Sequence, residues 1–144
     1  MTVVTTPHLN FRGTATPALD FYHSVFGGQL IAVTNEQAYS AEIPEEAQQI
    51  KFGQVIGDNG FQIMAYDVPS SVSYDQGDKA LFVSMRSDSA DEITELWGKL
   101  AEGATVLSDL APSAFSPAYG MLTDAFGITW VLDVAVAYDP TAND

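Results

Sequence analysis

The strongest constraint on this chain is internal repetition. Residues 16–26 and 89–100 each follow a short apolar, strand-like run and end at a glycine. Phe52-Gly53 and Tyr119-Gly120 then each open a second block, and in both the next landmark glycine, Gly60 or Gly127, comes seven residues later. Matching the helical segments gives an offset of 74, pairing Leu19 with Ile93, Tyr22 with Leu96 and Phe26 with Leu100; matching the later glycines gives 67. The seven-residue difference is a longer acidic excursion, residues 35–48, in the first half. A duplicated strand–helix–strands unit builds a pseudo-symmetric sheet with a cavity between its halves, and such cavities hold small ligands.

Local signals assign the elements. His8-Leu9-Asn10-Phe11-Arg12 alternates as a half-buried strand does. Thr16 offers an N-cap hydroxyl and Pro17 suits a first helical turn, while Gly27-Gly28 stops the helix. Residues 29–34 read as a strand, and residues 50–56 and 61–66 as a hairpin around Gly57-Asp58-Asn59-Gly60. The Ser- and Asp-rich stretch 69–78 reads as a linker between module one, about 7–68, and module two, about 79–134. The second module opens with an apolar strand over 80–86. Ser89 to Glu92 forms a capping box before the stripe of Ile93, Leu96, Trp97 and Leu100, and Gly103 ends that helix. Residues 105–108 form a strand, 119–123 and 129–134 a closing hairpin, and 137–144 a polar tail. All of this describes one 144-residue domain.

Composition narrows the function classes. Nineteen acidic side chains against five basic ones give a net charge of −14, which repels nucleic acid and anionic lipid. The absence of cysteine excludes thiolate metal sites and thiol nucleophiles. No signal peptide and no membrane-length apolar run is visible, so a cytoplasmic location is expected. P-loop, G-x-G-x-x-G, G-x-S-x-G and H-E-x-x-H motifs are all missing. The acidic pairs Glu45-Glu46 and Asp91-Glu92 read as solvated surface.

Two phrases carry a family resemblance. Ala18-Leu19-Asp20-Phe21-Tyr22 with Val25-Phe26-Gly27-Gly28 resembles the A-x-x-F-Y-x-x-V-F-G-G of PhnB-like proteins. Gly120-Met121-Leu122-Thr123-Asp124-Ala125-Phe126-Gly127, followed by Trp130, resembles their G-M-L-x-D-x-F-G-x-x-W closing signature. The resemblance covers about residues 7–134. It places the chain in the vicinal-oxygen-chelate superfamily, with glyoxalase I, bleomycin-resistance proteins and extradiol dioxygenases. It implies an α+β fold of two tandem βαβββ modules, a curled mixed sheet with a central cup, helices outside, and a homodimer. Some relatives are labelled 3-demethylubiquinone methyltransferases, but this sequence has no glycine-rich motif for S-adenosylmethionine.

Metal-using members of that superfamily bring four side chains together, and carry-over places these positions at His8, Met64, Leu81 and Val131. Only His8 suits a hard divalent ion, so no metal and no cofactor is expected. His23, on the first helix, faces solvent in this reading. Strand alternation turns His8, Asn10 and Arg12 toward the cup, with Gln62, Met64 and Tyr66, then Leu81, Val83 and Met85, then Thr129, Val131 and Asp133. The lining taken to bind ligand is His8, Asn10, Gln62, Met64, Tyr66, Leu81, Val83 and Val131. His8 is the one candidate base; Arg12 reads as a surface ion pair, and Tyr39, Phe115 and Tyr119 as aromatic loop residues near the cup. The expected partner is a small aromatic or hydrophobic molecule, without nucleic acid or membrane. The expected function is ligand binding, with a lyase, isomerase or dioxygenase-type activity as the alternative.

Overall fold

In the computed structural model, residues 3–136 are described; the polar tail at 137–144 lies outside them. The fold is α+β and consists of two βαβββ modules. Module one runs β1 (His8–Phe11), α1 (Ala15–Phe26), β2 (Gln29–Thr34), β3 (Ile50–Ile56) and β4 (Gln62–Asp67). Module two runs β5 (Val83–Ser87), α2 (Ala90–Leu100), β6 (Thr105–Ala111), β7 (Tyr119–Thr123) and β8 (Thr129–Val134). Each module makes its own four-stranded sheet, in the orders β1-β4-β3-β2 and β5-β8-β7-β6. In both, the first strand pairs parallel with the last and the other ladders are antiparallel. Backbone contacts divide the chain into two compact units between Asp78 and Lys79.

The helix in each module covers one sheet face, and a glycine makes room for it. In module one, Ala15, Ala18, Leu19, Tyr22, Val25 and Phe26 recur at helical spacing and are all buried. Leu9, Phe11, Val55, Ile63 and Ala65 form the strand side of that core. Gly53 faces the helix: a Cβ there would lie 2.5 Å from Leu19 Cδ1 and 2.7 Å from the Ala65 carbonyl oxygen. In module two the buried apolar set is Ile93, Leu100, Leu122, Trp130, Leu132 and Val134. A Cβ on Gly120 would lie 2.8 Å from the Trp97 ring and 2.9 Å from Leu110 Cα. The two landmark glycines of the repeat therefore answer the same steric demand.

The helix starts differ. α2 begins as the capping box requires, with Ser89 Oγ accepting from Glu92 N at 3.2 Å. α1 begins at Ala15 with Thr14 as its N-cap residue, two residues before the expected N-cap Thr16, and Thr14 makes no side-chain cap. Asp67, at the end of β4, does that work instead. One of its oxygens accepts from Gly13 N (2.7 Å) and Ala15 N (3.1 Å), the other from Ile50 N (2.9 Å). A buried carboxylate at a helix N-terminus satisfies orphan amides and complements the helix dipole.

The closing signature has an equally structural meaning. Asp124 Oδ1 accepts from Phe126 N and Ile128 N (2.8 and 3.0 Å), and its Oδ2 accepts from the buried Trp130 Nε1 at 2.8 Å. Gly127, at φ +91°, completes that turn. The D-x-F-G-x-x-W pattern is a hairpin lock. Strand limits shift elsewhere: β5 begins at Val83 where a strand from Ala80 is expected, and β6 continues to Ala111.

Candidate functional site

With α1 on one side, module one presents the other side of its sheet as a chemically mixed face. Ladder partners lie on the same face, so the register His8↔Met64 and Asn10↔Tyr66 groups these four side chains. Gln62 joins them from β4, and Gln54, paired with Met64, from β3. His8 and Asn10 are exposed; Gln62, Met64 and Tyr66 are half-buried. The expected alternation holds here, because Leu9, Phe11, Ile63 and Ala65 are buried toward the helix. His8 Nδ1 lies 2.8 Å from Asn10 Oδ1, and the imidazole meets the Tyr66 ring in an edge contact with centroids 5.1 Å apart.

The strand carrying this face is tied down at its end. Arg12, expected in a surface ion pair, donates instead to the carbonyls of Val68 (3.2 Å), Pro69 (3.1 Å) and Val72. Its guanidinium also lies over the Tyr74 ring, 5.2 Å from the centroid. Tyr74 donates its hydroxyl to the Asn10 carbonyl at 3.0 Å. Burial raises the Tyr74 pKa, Arg12 opposes the rise, and Asp75 and Asp67 add to it.

Beside Tyr66 lies a polar cleft of about 30 Å³, bordered by Asn35, Glu46, Lys51 and Asp67 among others. That is room for a water or two. Glu46, read from sequence as solvated, is buried, and its carboxylate accepts from Ser70 N and Ser70 Oγ at 3.0 Å each. Its backbone carbonyl accepts from Asn35 Nδ2 at 2.8 Å. The cleft is thus the seam that fastens the 35–48 excursion.

Module two corrects the sequence reading of β5. The register is Val83↔Trp130, Ser84↔Val131, Met85↔Leu132 and Arg86↔Asp133. Val83 and Met85 therefore share the helix-side face of Trp130 and Leu132, and Ser84 and Arg86 stand with Val131 and Asp133. Leu81, placed in the lining from sequence, precedes the strand and is 90% exposed. The position matching His8 is Ser84. In β8, Thr129, Val131 and Asp133 lie on the face opposite the fully buried Trp130 and Leu132, and Thr129 and Asp133 are themselves buried. Arg86 grips Asp133 through Nε (3.1 Å to Oδ1) and Nη2 (3.0 Å to Oδ2), which raises the Arg86 pKa through that hydrogen bond and the opposite charge. Tyr119 shares this face and meets Phe115 edge-on at 4.9 Å. Tyr39, in module one, is an exposed turn residue at φ +54°.

The four positions that the resemblance implies for a metal fall, in this register, at His8 and Met64 in module one and at Ser84 and Val131 in module two. One imidazole, a thioether, a neutral hydroxyl and a hydrocarbon do not fit a hard divalent ion. Among the described residues no group of three or more His, Cys, Asp or Glu side chains is placed to hold a metal. His23 is half-buried and its Nε2 lies 3.0 Å from the Gly28 carbonyl, a helix-end contact. Among the described residues no helix is long and apolar enough to cross a membrane.

Comparison with known proteins assigns the architecture. The family model described as 3-demethylubiquinone-9 3-methyltransferase matches residues 4–132. The crystal structure of PA1353 from Pseudomonas aeruginosa is similar at 29% identity and a TM-score of 0.79, covering 92% of this chain and 98% of that one. The PhnB protein of Bacillus cereus, named for the same methyltransferase, is 25% identical with a TM-score of 0.71, covering 92% and 100%. A glyoxylase/bleomycin resistance protein/dioxygenase domain from Frankia sp. EAN1pec, 15% identical with a TM-score of 0.64 over 94% and 99% of the two chains, shares the fold. No curated protein matches this sequence.

Proposed function

This chain belongs to the 3-demethylubiquinone-9 3-methyltransferase family, the PhnB-like members of the glyoxalase/bleomycin-resistance/dioxygenase superfamily, and from that premise we propose that it binds a small aromatic or hydrophobic molecule without a metal-dependent step. The observation that carries this reading is the open face of module one. There an imidazole, a thioether, a phenol ring and three carboxamides stand together on the side of the sheet that α1 leaves free. Apolar contact area with a few placed polar groups is what small-molecule sites are made of. His8, Asn10, Gln62, Met64 and Tyr66 are the proposed contacts, and Val131 marks the corresponding face of module two. The ordinary working form proposed here is a cytoplasmic homodimer, a reading supported by the cysteine-free acidic composition and the superfamily resemblance.

The test is a thermal-shift screen of small aromatic molecules, with S-adenosylmethionine and divalent metals as separate arms. A ligand at about a hundred times its Kd should raise the melting temperature by about 5 °C or more. The shift should be lost in Tyr66→Ala and kept in Ser84→Ala. Hits that survive Tyr66→Ala and disappear in Ser84→Ala would move the site to module two. A saturable metal shift abolished by His8→Ala would overturn the metal-free reading.

A further inference from the structure

We propose that the open face of module one selects aromatic ligands carrying a neutral hydroxyl or N–H group, which donates to His8 Nε2; this rests on the binding reading above. The inference begins with Asn10. Its Oδ1 is a carbonyl oxygen and accepts only, so the 2.8 Å contact with His8 Nδ1 requires the proton to sit on Nδ1. A neutral imidazole carries one ring proton, so Nε2 is left with its lone pair. Among the described residues no hydrogen bond to Nε2 is found, and His8 is exposed. The face therefore offers Nε2 as an acceptor in the tautomer that the Asn10 contact favours.

Its surroundings define the rest of the ligand. Tyr66 stands edge-on to the imidazole and Met64 is its ladder neighbour, so a flat ring entering here meets an aromatic edge and a polarisable sulfur. The β1 side of the face offers an anion no free cation. Arg12, which directly follows β1, spends its guanidinium on the backbone carbonyls of Val68, Pro69 and Val72. Asn10 is itself steadied, because its carbonyl accepts from Tyr74. Asn10 is thus a positioning residue: it acts through His8 by choosing which nitrogen can accept.

Tautomer and selectivity are measured separately. Long-range ¹H–¹⁵N spectra of the ¹⁵N-labelled full chain, assigned with His8→Ala and recorded at about pH 8, above the ordinary imidazole range, should show His8 protonated on Nδ1. In Asn10→Leu the proton should redistribute to Nε2. Titrations with 2-naphthol, 2-methoxynaphthalene and 2-naphthoate then read the ligand class. Wild-type protein should prefer the naphthol over its methyl ether by about tenfold, the worth of one hydrogen bond. Asn10→Leu should lose that preference while keeping its affinity for the ether. A wild-type Nε2–H tautomer, equal affinity for naphthol and ether, or tightest binding of the naphthoate would each overturn the proposal. Silence from these probes while the wider screen yields donor-free ligands overturns the ligand class alone; silence across the whole screen overturns the binding reading beneath it.

Discussion

At the first strand of module one, the sheet face opposite the helix carries His8 and Asn10; at the matching positions of module two it carries Ser84 and Arg86. On the last strand the positions held by Met64 and Tyr66 in module one are held by Val131 and Asp133 in module two. The backbone frame beneath is the same in both: parallel outer ladder, helix on one side, a glycine under the helix. What has diverged is the side of each sheet that the helix does not need. Module one holds a His8–Asn10 contact beside Tyr66 there, and module two a bidentate Arg86–Asp133 pair already closed on itself. Packing constrains one face and leaves the other to chemistry, which is why the superfamily's fold alone does not name its function.

The modules also differ in how the helix is started, and that difference should give the largest effect. Asp67→Ala removes the acceptor for three backbone amides at once, at an expected cost of about 3 kcal/mol or more. Ser89→Ala removes one local cap and should cost about 1 kcal/mol. Urea unfolding reads both. Both tryptophans, Trp97 and Trp130, belong to module two, so their fluorescence follows that module while circular dichroism follows the whole chain. If Asp67→Ala splits the two signals, the modules unfold separately; coincident transitions make them one cooperative unit. Equal costs for the two substitutions would break the contrast between a long-range and a local cap.

The glycine pair tests the shared frame rather than the difference. Gly53→Ala and Gly120→Ala each force a methyl against the helix-side neighbours and should cost about 1–3 kcal/mol. Gly53 should be the worse, since its Cβ would approach a side chain at 2.5 Å and a carbonyl oxygen at 2.7 Å. Gly98→Ala is the internal control. It lies on the exposed side of α2 with open space around it, so alanine there should stabilise by up to about 1 kcal/mol. A tolerated Gly120→Ala would show that Trp97 can shift, and that the two helices are not seated alike.

The repeat, the glycines and the alternation of β1 were legible in the sequence, β1 because polar and apolar residues truly alternate there, as in His8-Leu9-Asn10-Phe11. β5 was not. Ala80-Leu81-Phe82-Val83 is apolar throughout, so its parity carries no signal, and a one-residue slip exchanges every side chain between faces. The apolar run suggested a lining through Leu81 and Val83, whereas the ladder puts Ser84 opposite Val131. The α1 cap was out of reach for another reason. Capping rules look a few residues away, and Asp67 lies 52 residues beyond the amide of Ala15 that it satisfies. His8 was legible as the one chemically distinctive residue on its face, but its contact with Asn10 became decisive only when the two side chains were seen to meet.

The smallest effect concerns the tie that steadies Asn10, and it has a definite sign. Burial raises the Tyr74 pKa above the ordinary phenol value, against the opposing pull of Arg12. The fold therefore favours the neutral phenol, which donates to the Asn10 carbonyl. That contribution is complete below the unfolded-state value near 10 and is lost as pH rises through the higher folded-state value. Wild-type protein should lose stability between about pH 10 and the folded-state value faster than Tyr74→Phe, measured by urea midpoints at each pH. Substitution of Arg86, whose partner Asp133 sits on the other module's face, should leave this alkaline limb in place. Should Tyr74→Phe keep the full alkaline loss, another group titrates there and the Arg12–Tyr74–Asn10 tie does not distinguish module one.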